Sequence, residues 1–115
     1  MAKSSGNSPP VERRKYRRVG LVTEVRCQRE GTEKILQTRD ISEGGIFVST
    51  HEPLSPGTEV GIRLLLSGTG TSVEVEGRVG YNVPELGMGI EFTSMDPEAQ
   101  KSIHEFVQRS SKRED

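Results

Sequence analysis

At 115 residues the chain has room for one hydrophobic core and no second domain. Its 16 basic and 17 acidic side chains sum to −1, which excludes a general nucleic-acid coat and a polybasic membrane binder. With 30% apolar residues and 13 glycines the core must be thin, as in a small β-rich domain with many turns.

Residues 1–10 are polar, carry Gly6, Pro9 and Pro10, and cannot bury enough surface to offset their ordering entropy. A disordered arm is expected over residues 1–11. Next comes a basic segment, Arg13-Arg14-Lys15-Tyr16-Arg17-Arg18. Leu21, Thr23, Val25 and Cys27 then alternate with Glu24, Arg26 and Gln28, which predicts a half-buried strand. After the Glu30-Gly31-Thr32-Glu33 turn, residues 34–41 form a second strand, partly polar on both faces. Ser42-Glu43-Gly44-Gly45 is a turn, and Ile46-Phe47-Val48 opens a third strand. Pro53, Pro56 and Gly57 break the chain. Val60, Ile62, Leu64 and Leu66 mark a fourth strand. Val73, Val75, Gly77, Val79 and Tyr81 share one face of a fifth, beyond the Ser67-Gly68-Thr69-Gly70 turn. Met88, Ile90 and Phe92 mark a sixth. Six short strands spaced by turn residues predict a barrel or sandwich, with Phe47, Phe92 and Phe106 in the core by their spacing. Asp96-Pro97-Glu98 then starts a helix, Asp96 as N-cap and Pro97 at its first position. Ala99, Ile103, Phe106 and Val107 form its apolar stripe. Residues 110–115 are expected to fray.

The single cysteine, Cys27, excludes an intrachain disulfide framework and a multi-cysteine zinc site. No apolar run approaches the ~18–20 residues that span a bilayer, and residues 1–10 lack the apolar stretch of a secretory signal. The expectation is a soluble cytoplasmic protein that inserts in no membrane. His51 and His104 are the only histidines, and neither sits in a pattern that supplies a nucleophile with a base or a metal with three ligands. Ser67-Gly68-Thr69-Gly70 lacks the lysine of a phosphate-binding loop and leads into no helix. A non-enzymatic protein with no catalytic residues, no metal and no cofactor is expected.

The charge distribution is more informative than its sum. Residues 13–18 hold five positive charges; the rest of the chain has 11 basic against 17 acidic residues, a net of −6. Focused charge of this kind suits a small anionic ligand better than a long polyanion. Arginine outnumbers lysine four to one there, and its planar fork suits phosphate or the guanine O6/N7 edge. Tyr16 lies between Arg14 and Arg18. The second candidate is Asp40-Ile41-Ser42-Glu43-Gly44-Gly45. It reads as a tight turn in which Ser42 bonds local backbone and Gly44 or Gly45 takes positive φ. Asp40, pointing outward, offers a carboxylate to a guanine N1–H and exocyclic amine.

Arg14-x-x-x-Arg18, followed by Asp40-x-Ser42-x-x-Gly45, resembles the paired signature of PilZ domains, bacterial receptors for cyclic di-GMP. Leu86-Gly87-Met88-Gly89-Ile90-Glu91-Phe92 is similar to that family's closing strand. The resemblance runs over residues 12–109. It implies a six-stranded antiparallel β-barrel with a C-terminal α-helix. It also implies that Arg14 and Arg18 clamp guanine edges and phosphates, that Asp40 and Ser42 contact a guanine, and that Gly45 lets the backbone turn closely beneath the base. Arg13 adds a stacking or phosphate contact, compatible with two intercalated cyclic di-GMP molecules per chain. With no further domain attached, the resemblance implies an adaptor that changes conformation and signals to a protein partner in motility, attachment or exopolysaccharide output.

Two other readings compete. A small barrel binding single-stranded nucleic acid needs exposed aromatics and a basic groove, but this chain has five aromatics, no Trp, and an acidic remainder. A PilZ-fold interaction module that has lost its nucleotide is opposed by the intact signature.

Overall fold

A computed structural model describes residues 17–66 and 69–114 of the chain, with side chains as far as Ser111. Among the described residues seven strands precede one helix: β1 Val19–Gly20, β2 Glu24–Arg29, β3 Thr32–Ser42, β4 Gly45–Ser49, β5 Glu59–Leu66, β6 Thr71–Val83, β7 Gly87–Ser94 and α1 Pro97–Glu114. All pairings are antiparallel, in the order β1-β3-β2-β5-β6-β7-β4, and β4 also pairs with β3. That last ladder closes β2 to β7 into a six-stranded barrel.

Period-two alternation produces this closure directly. Along β5 the inward Val60, Ile62, Leu64 and Leu66 are each 3% exposed or less. Their outward neighbours Glu59, Arg63 and Leu65 are exposed. Val25, Ile41, Ile46, Val48, Val73, Val75, Val79, Met88 and Ile90 complete the barrel interior. The core is thin, as the composition requires, and α1 adds to it. Ala99, Ile103, Phe106 and Val107 are buried where the helix lies against β6, β1 and β3. Its N-terminus is capped as expected, the Ala99 amide donating to Asp96 Oδ1 at 2.8 Å. The backbone stays helical through Glu114, taking in most of the segment expected to fray.

The first predicted strand, read from Leu21, begins only at Glu24, and a two-residue strand, β1, precedes its expected start. β1 and β2 lie along the same edge of β3, with Gly20 opposite Asp40 and Glu24 opposite Gln37. Three residues, Leu21 to Thr23, therefore face two, Thr38 and Arg39, and the ladder is interrupted there. Leu21, Val25 and Cys27 still point inward as the alternation predicts. Burial pushes the Cys27 thiol up to about 11, so it stays protonated near neutral pH and is a poor nucleophile.

Candidate functional site

Register assembles two transverse rows of residues on the outside of the barrel, across β3, β4, β7 and β6. In the first row Asp40 stands opposite Phe47, Phe47 opposite Gly89, and Gly89 opposite Tyr81. In the second, Ser42 stands opposite Gly45, Gly45 opposite Glu91, and Glu91 opposite Arg78. Between them an inward row of Ile41, Ile46, Ile90 and Val79 belongs to the core.

Two β-bulges put Asp40 and Tyr81 on that outer face. Thr38 pairs with the inward Val48, and Asp40 with the very next residue of β4, Phe47, so Arg39 is an extra residue. Strict alternation from the buried Thr38 would turn Asp40 into the barrel; the bulge turns it out. On β6, Val79 pairs with Ile90 and Tyr81 with Gly89, leaving Gly80 as the extra residue. A bulge inserts one residue, reverses the alternation beyond it and re-aims the next side chain. Tyr81, expected on the inward face with Val73, Val75 and Val79, is instead 49% exposed, while Val79 is 1% exposed.

The expectation for Phe47 needs a related correction. It is buried, at 3% exposure, but from outside the barrel, because its neighbours Ile46 and Val48 take the inward positions. Its cover is lateral. The Arg39 guanidinium lies 4.0 Å over its ring, and the Tyr81 ring packs against it, centroids 6.2 Å apart and tilted by 35°. Glycines make this possible: a Cβ at Gly87 would strike the Phe47 ring, and one at Gly89 the Tyr81 ring. Phe106 is in the core, and Phe92 is half-buried against it.

Arg18 reaches this surface from the segment just ahead of β1. Its Nη1 meets Asp40 Oδ1 at 2.5 Å, and Arg39 Nε approaches Asp40 Oδ2 at 3.3 Å. One carboxylate thus answers two guanidinium groups. Next to it opens a cleft of about 640 Å³ lined by Arg18, Ser42, Gly45, Tyr81 and Glu91, among others. Glu91 is tied to Arg78 at 3.5 Å. Ser42 is buried, and its Oγ accepts the Gly44 amide at 3.1 Å, the local turn bond expected of it.

Glycine at position 45 has a different cause from the one expected. Among the described residues the positive-φ glycines are Gly31, Gly57 and Gly70, so neither Gly44 nor Gly45 is required by its backbone angle. Gly45 is required by proximity: a Cβ there would collide with the carbonyl oxygen of Ile90 on β7. The motif turn is also held from below, since Glu43 Oε2 lies 2.9 Å from His104 Nδ1 on α1.

Of the residues singled out from sequence, the fold brings Arg18, Asp40, Ser42 and Gly45 together. Arg13 and Arg14 lie outside the described residues. Three members of the surface escaped the sequence reading: Arg39, Glu91 and Tyr81. The available signal for Tyr81 was the glycine before it, since an isolated Gly inside a strand pattern marks a bulge. Among the described residues no group of three or more His, Cys, Asp or Glu could hold a metal ion, and no helix is long and apolar enough to cross a membrane.

With this geometry in place, comparison with known proteins is specific. A model of the PilZ domain matches residues 12–109. The chain belongs to the PilZ domain family. Among solved structures it is similar to the inhibitor of motility MotI/DgrA of Bacillus subtilis, at 24% identity and a TM-score of 0.75, over 86% of this chain and 51% of that one. It thus spans about half the length of MotI. It is also similar to the PilZ domain of Escherichia coli YcgR, solved with c-di-GMP, at 13% identity and a TM-score of 0.72, covering 88% of this chain and 93% of that one. The PlzA protein of Borreliella burgdorferi, solved in complex with c-di-GMP, matches at 14% identity and a TM-score of 0.62, over 79% of this chain and 39% of that one. At these identities the likeness is one of fold. No curated protein matches the chain.

Proposed function

We propose that this chain is a cyclic di-GMP receptor that acts without catalysis, in the cytoplasm, by changing shape for a protein partner. One observation carries the reading. Arg18, which closes the Arg-x-x-x-Arg motif, meets Asp40, which opens the Asp-x-Ser-x-x-Gly motif, across 22 residues of sequence. The end of the first motif and the start of the second thus share one surface beside an open cleft.

In this reading Asp40 accepts hydrogen bonds from a guanine N1–H and amine, and Ser42 contacts the same base. Gly45 keeps the floor of the cleft at backbone height. Arg14 and Arg18 bind phosphates and the O6/N7 edge, a charge-assisted and bidentate mode. Tyr81 offers a ring on which a purine stacks. Arg13 caps the outer base of a second, intercalated ligand, since a guanidinium is both charged and planar. Binding brings the Arg14 and Arg18 side chains over the ligand in the cleft. The surface so formed meets the partner, with motility, attachment or exopolysaccharide production as the output.

Support comes from the family match, from the relatives solved with c-di-GMP, and from the juxtaposed motifs. Isothermal titration of the chain with cyclic di-GMP, beside GTP and cyclic GMP, tests the reading. Saturable heat with the cyclic dinucleotide alone is expected. Absence of heat with all three would leave an interaction module that binds no nucleotide. A stronger response to single-stranded oligonucleotides in filter binding would replace the reading altogether.

A further inference from the structure

The ladder along β3 fails at Leu21 to Thr23, and the manner of its repair concerns the site. Two backbone bonds bracket the interruption: the Leu21 amide donates to the Arg39 carbonyl at 3.0 Å, and the Thr38 amide to the Thr23 carbonyl at 2.9 Å. Between them the Thr38 hydroxyl, on a residue 1% exposed, donates to the Leu21 carbonyl at 2.6 Å and accepts the Thr23 amide at 3.1 Å. One side chain thus satisfies a carbonyl and an amide that strand pairing has abandoned. The nearer of the two residues it serves, Leu21, is three positions from Arg18, and the intervening Val19 and Gly20 make only a two-residue ladder with Ile41 and Asp40.

We infer that Thr38 is the positioning residue for Arg18: its hydroxyl stitches the 21–23 interruption to β3 and so holds the Arg18 guanidinium in register with Asp40. This rests on Arg18 being a ligand contact, as proposed above. Thr38 itself is buried beneath the segment and touches no ligand. Its contribution to binding passes entirely through where Arg18 stands. The pairing also explains why a polar residue is tolerated among the buried positions of β3. Both hydrogen-bonding capacities are used, so its burial carries no unsatisfied group.

The experiment compares Thr38→Val, which keeps the shape and loses the hydroxyl, with Thr38→Ser, which keeps the hydroxyl. Amide exchange is read first, on the free proteins. Thr38→Val is expected to speed exchange at Leu21 and Thr23 while amides of β5 and β6 keep their parental rates; Thr38→Ser restores slow exchange. Cyclic di-GMP titration comes second. Thr38→Val is expected to lose about tenfold in affinity or more, and Thr38→Ser less than about threefold. The deciding arm is the double variant Arg18→Ala/Thr38→Val, expected to bind no more weakly than Arg18→Ala alone, because a residue that acts through another has nothing left to position. Additive losses would overturn the inference, as would parental affinity in Thr38→Val. If Thr38→Val does not fold, Thr38→Cys fills a similar volume with a weak donor and is read the same way. A parent chain that does not bind cyclic di-GMP would end the ligand reading, and the exchange arm would still decide whether the hydroxyl holds residues 21–23.

Discussion

Asp40 is contacted by two arginines of different standing. Arg39 is its neighbour in sequence, fixed on the Phe47 ring, whereas Arg18 comes from a segment held by a two-residue strand. The pair is partly exposed, with side-chain exposures of 46% and 20%, and pairs of that kind add little to stability. Its residues are therefore free to serve binding. Arg18→Ala is expected to weaken cyclic di-GMP binding by roughly thirtyfold or more, the scale for losing a desolvated charge partner. Asp40→Ala is expected to lower affinity with the melting temperature little changed. Calorimetry and thermal melting on the same samples check both; a lower melting temperature with unchanged affinity would make Asp40 structural. Cys27 shows the opposite balance, with no part in the site and a measurable effect on stability. Its thiol titrates near 11 when folded, against 9.0 for the ordinary value, because burial disfavours the thiolate. The unfolded chain therefore loses this proton first as pH rises. The stability associated with a neutral Cys27 is complete below pH 9 and is lost as pH climbs through 9 to 11, by up to about 3 kcal/mol. Denaturant titrations across that window should fall more steeply for the parent than for Cys27→Ala, whose other titrating groups are the same.

At the scale of elements, alternation made the barrel legible and the bulges hid part of the site. Val60 to Leu66 and Met88 to Ile90 could be placed inward because period two is enforced wherever one strand face is buried. The helix start was legible because Asp96 and Pro97 carry local chemistry that needs no tertiary context. Asp40 was assigned outward from its motif, but nothing in strict period two shows that Thr38 and Ile41, three apart, both face the core. The same blindness set Tyr81 among core residues, since a bulge is a property of two strands and a sequence pattern describes one; Phe47 needed no bulge, because plain alternation with the inward Ile46 and Val48 already puts it outside. The cause of Gly45 was equally non-local: the atom that excludes a Cβ belongs to Ile90, on another strand. The bulge at Gly80 supports a direct prediction. Tyr81→Ala removes the proposed stacking ring, worth ~1–3 kcal/mol per base in comparable sites, so cyclic di-GMP affinity is expected to fall about five- to 150-fold. Tyr81→Phe keeps the ring and is expected to bind within about threefold of the parent. Titration of the two variants side by side separates stacking from any role of the hydroxyl.

For the whole molecule, in the proposed reading, the barrel supplies a fixed surface and the basic segment supplies the cations. A dianionic ligand, or a tetra-anionic intercalated pair, draws on a chain whose positive charge is concentrated in residues 13–18. Two ligands per chain are expected when ligand is in excess, and Arg13→Leu should move the ratio toward one while leaving a measurable single-site affinity. Calorimetry at a known active protein concentration reads this from the inflection. A ratio of one in the parent, unchanged in Arg13→Leu, would remove Arg13 from that role.

A closed barrel normally leaves no slack in the length of its strands, because every strand is fixed on both edges and a one-residue slip turns a whole face inside out. Arg39 and Gly80 are exceptions, each the surplus residue of its strand. Deleting Gly80 leaves Val79 inward and Tyr81 outward by ordinary alternation, and the segments on either side keep their pairing. Deleting Arg63, in β5, whose ladders with β2 and β6 run without a register shift, forces the residues on one side of the gap to exchange faces. Each deletion shortens one strand by one residue, yet the Gly80 deletion is expected to melt cooperatively near the parental temperature and the Arg63 deletion to lose the cooperative transition. Strand length beside this cleft is therefore adjustable by one residue on each flank, a freedom that lets the rim of the site be redrawn without recutting the barrel beneath it.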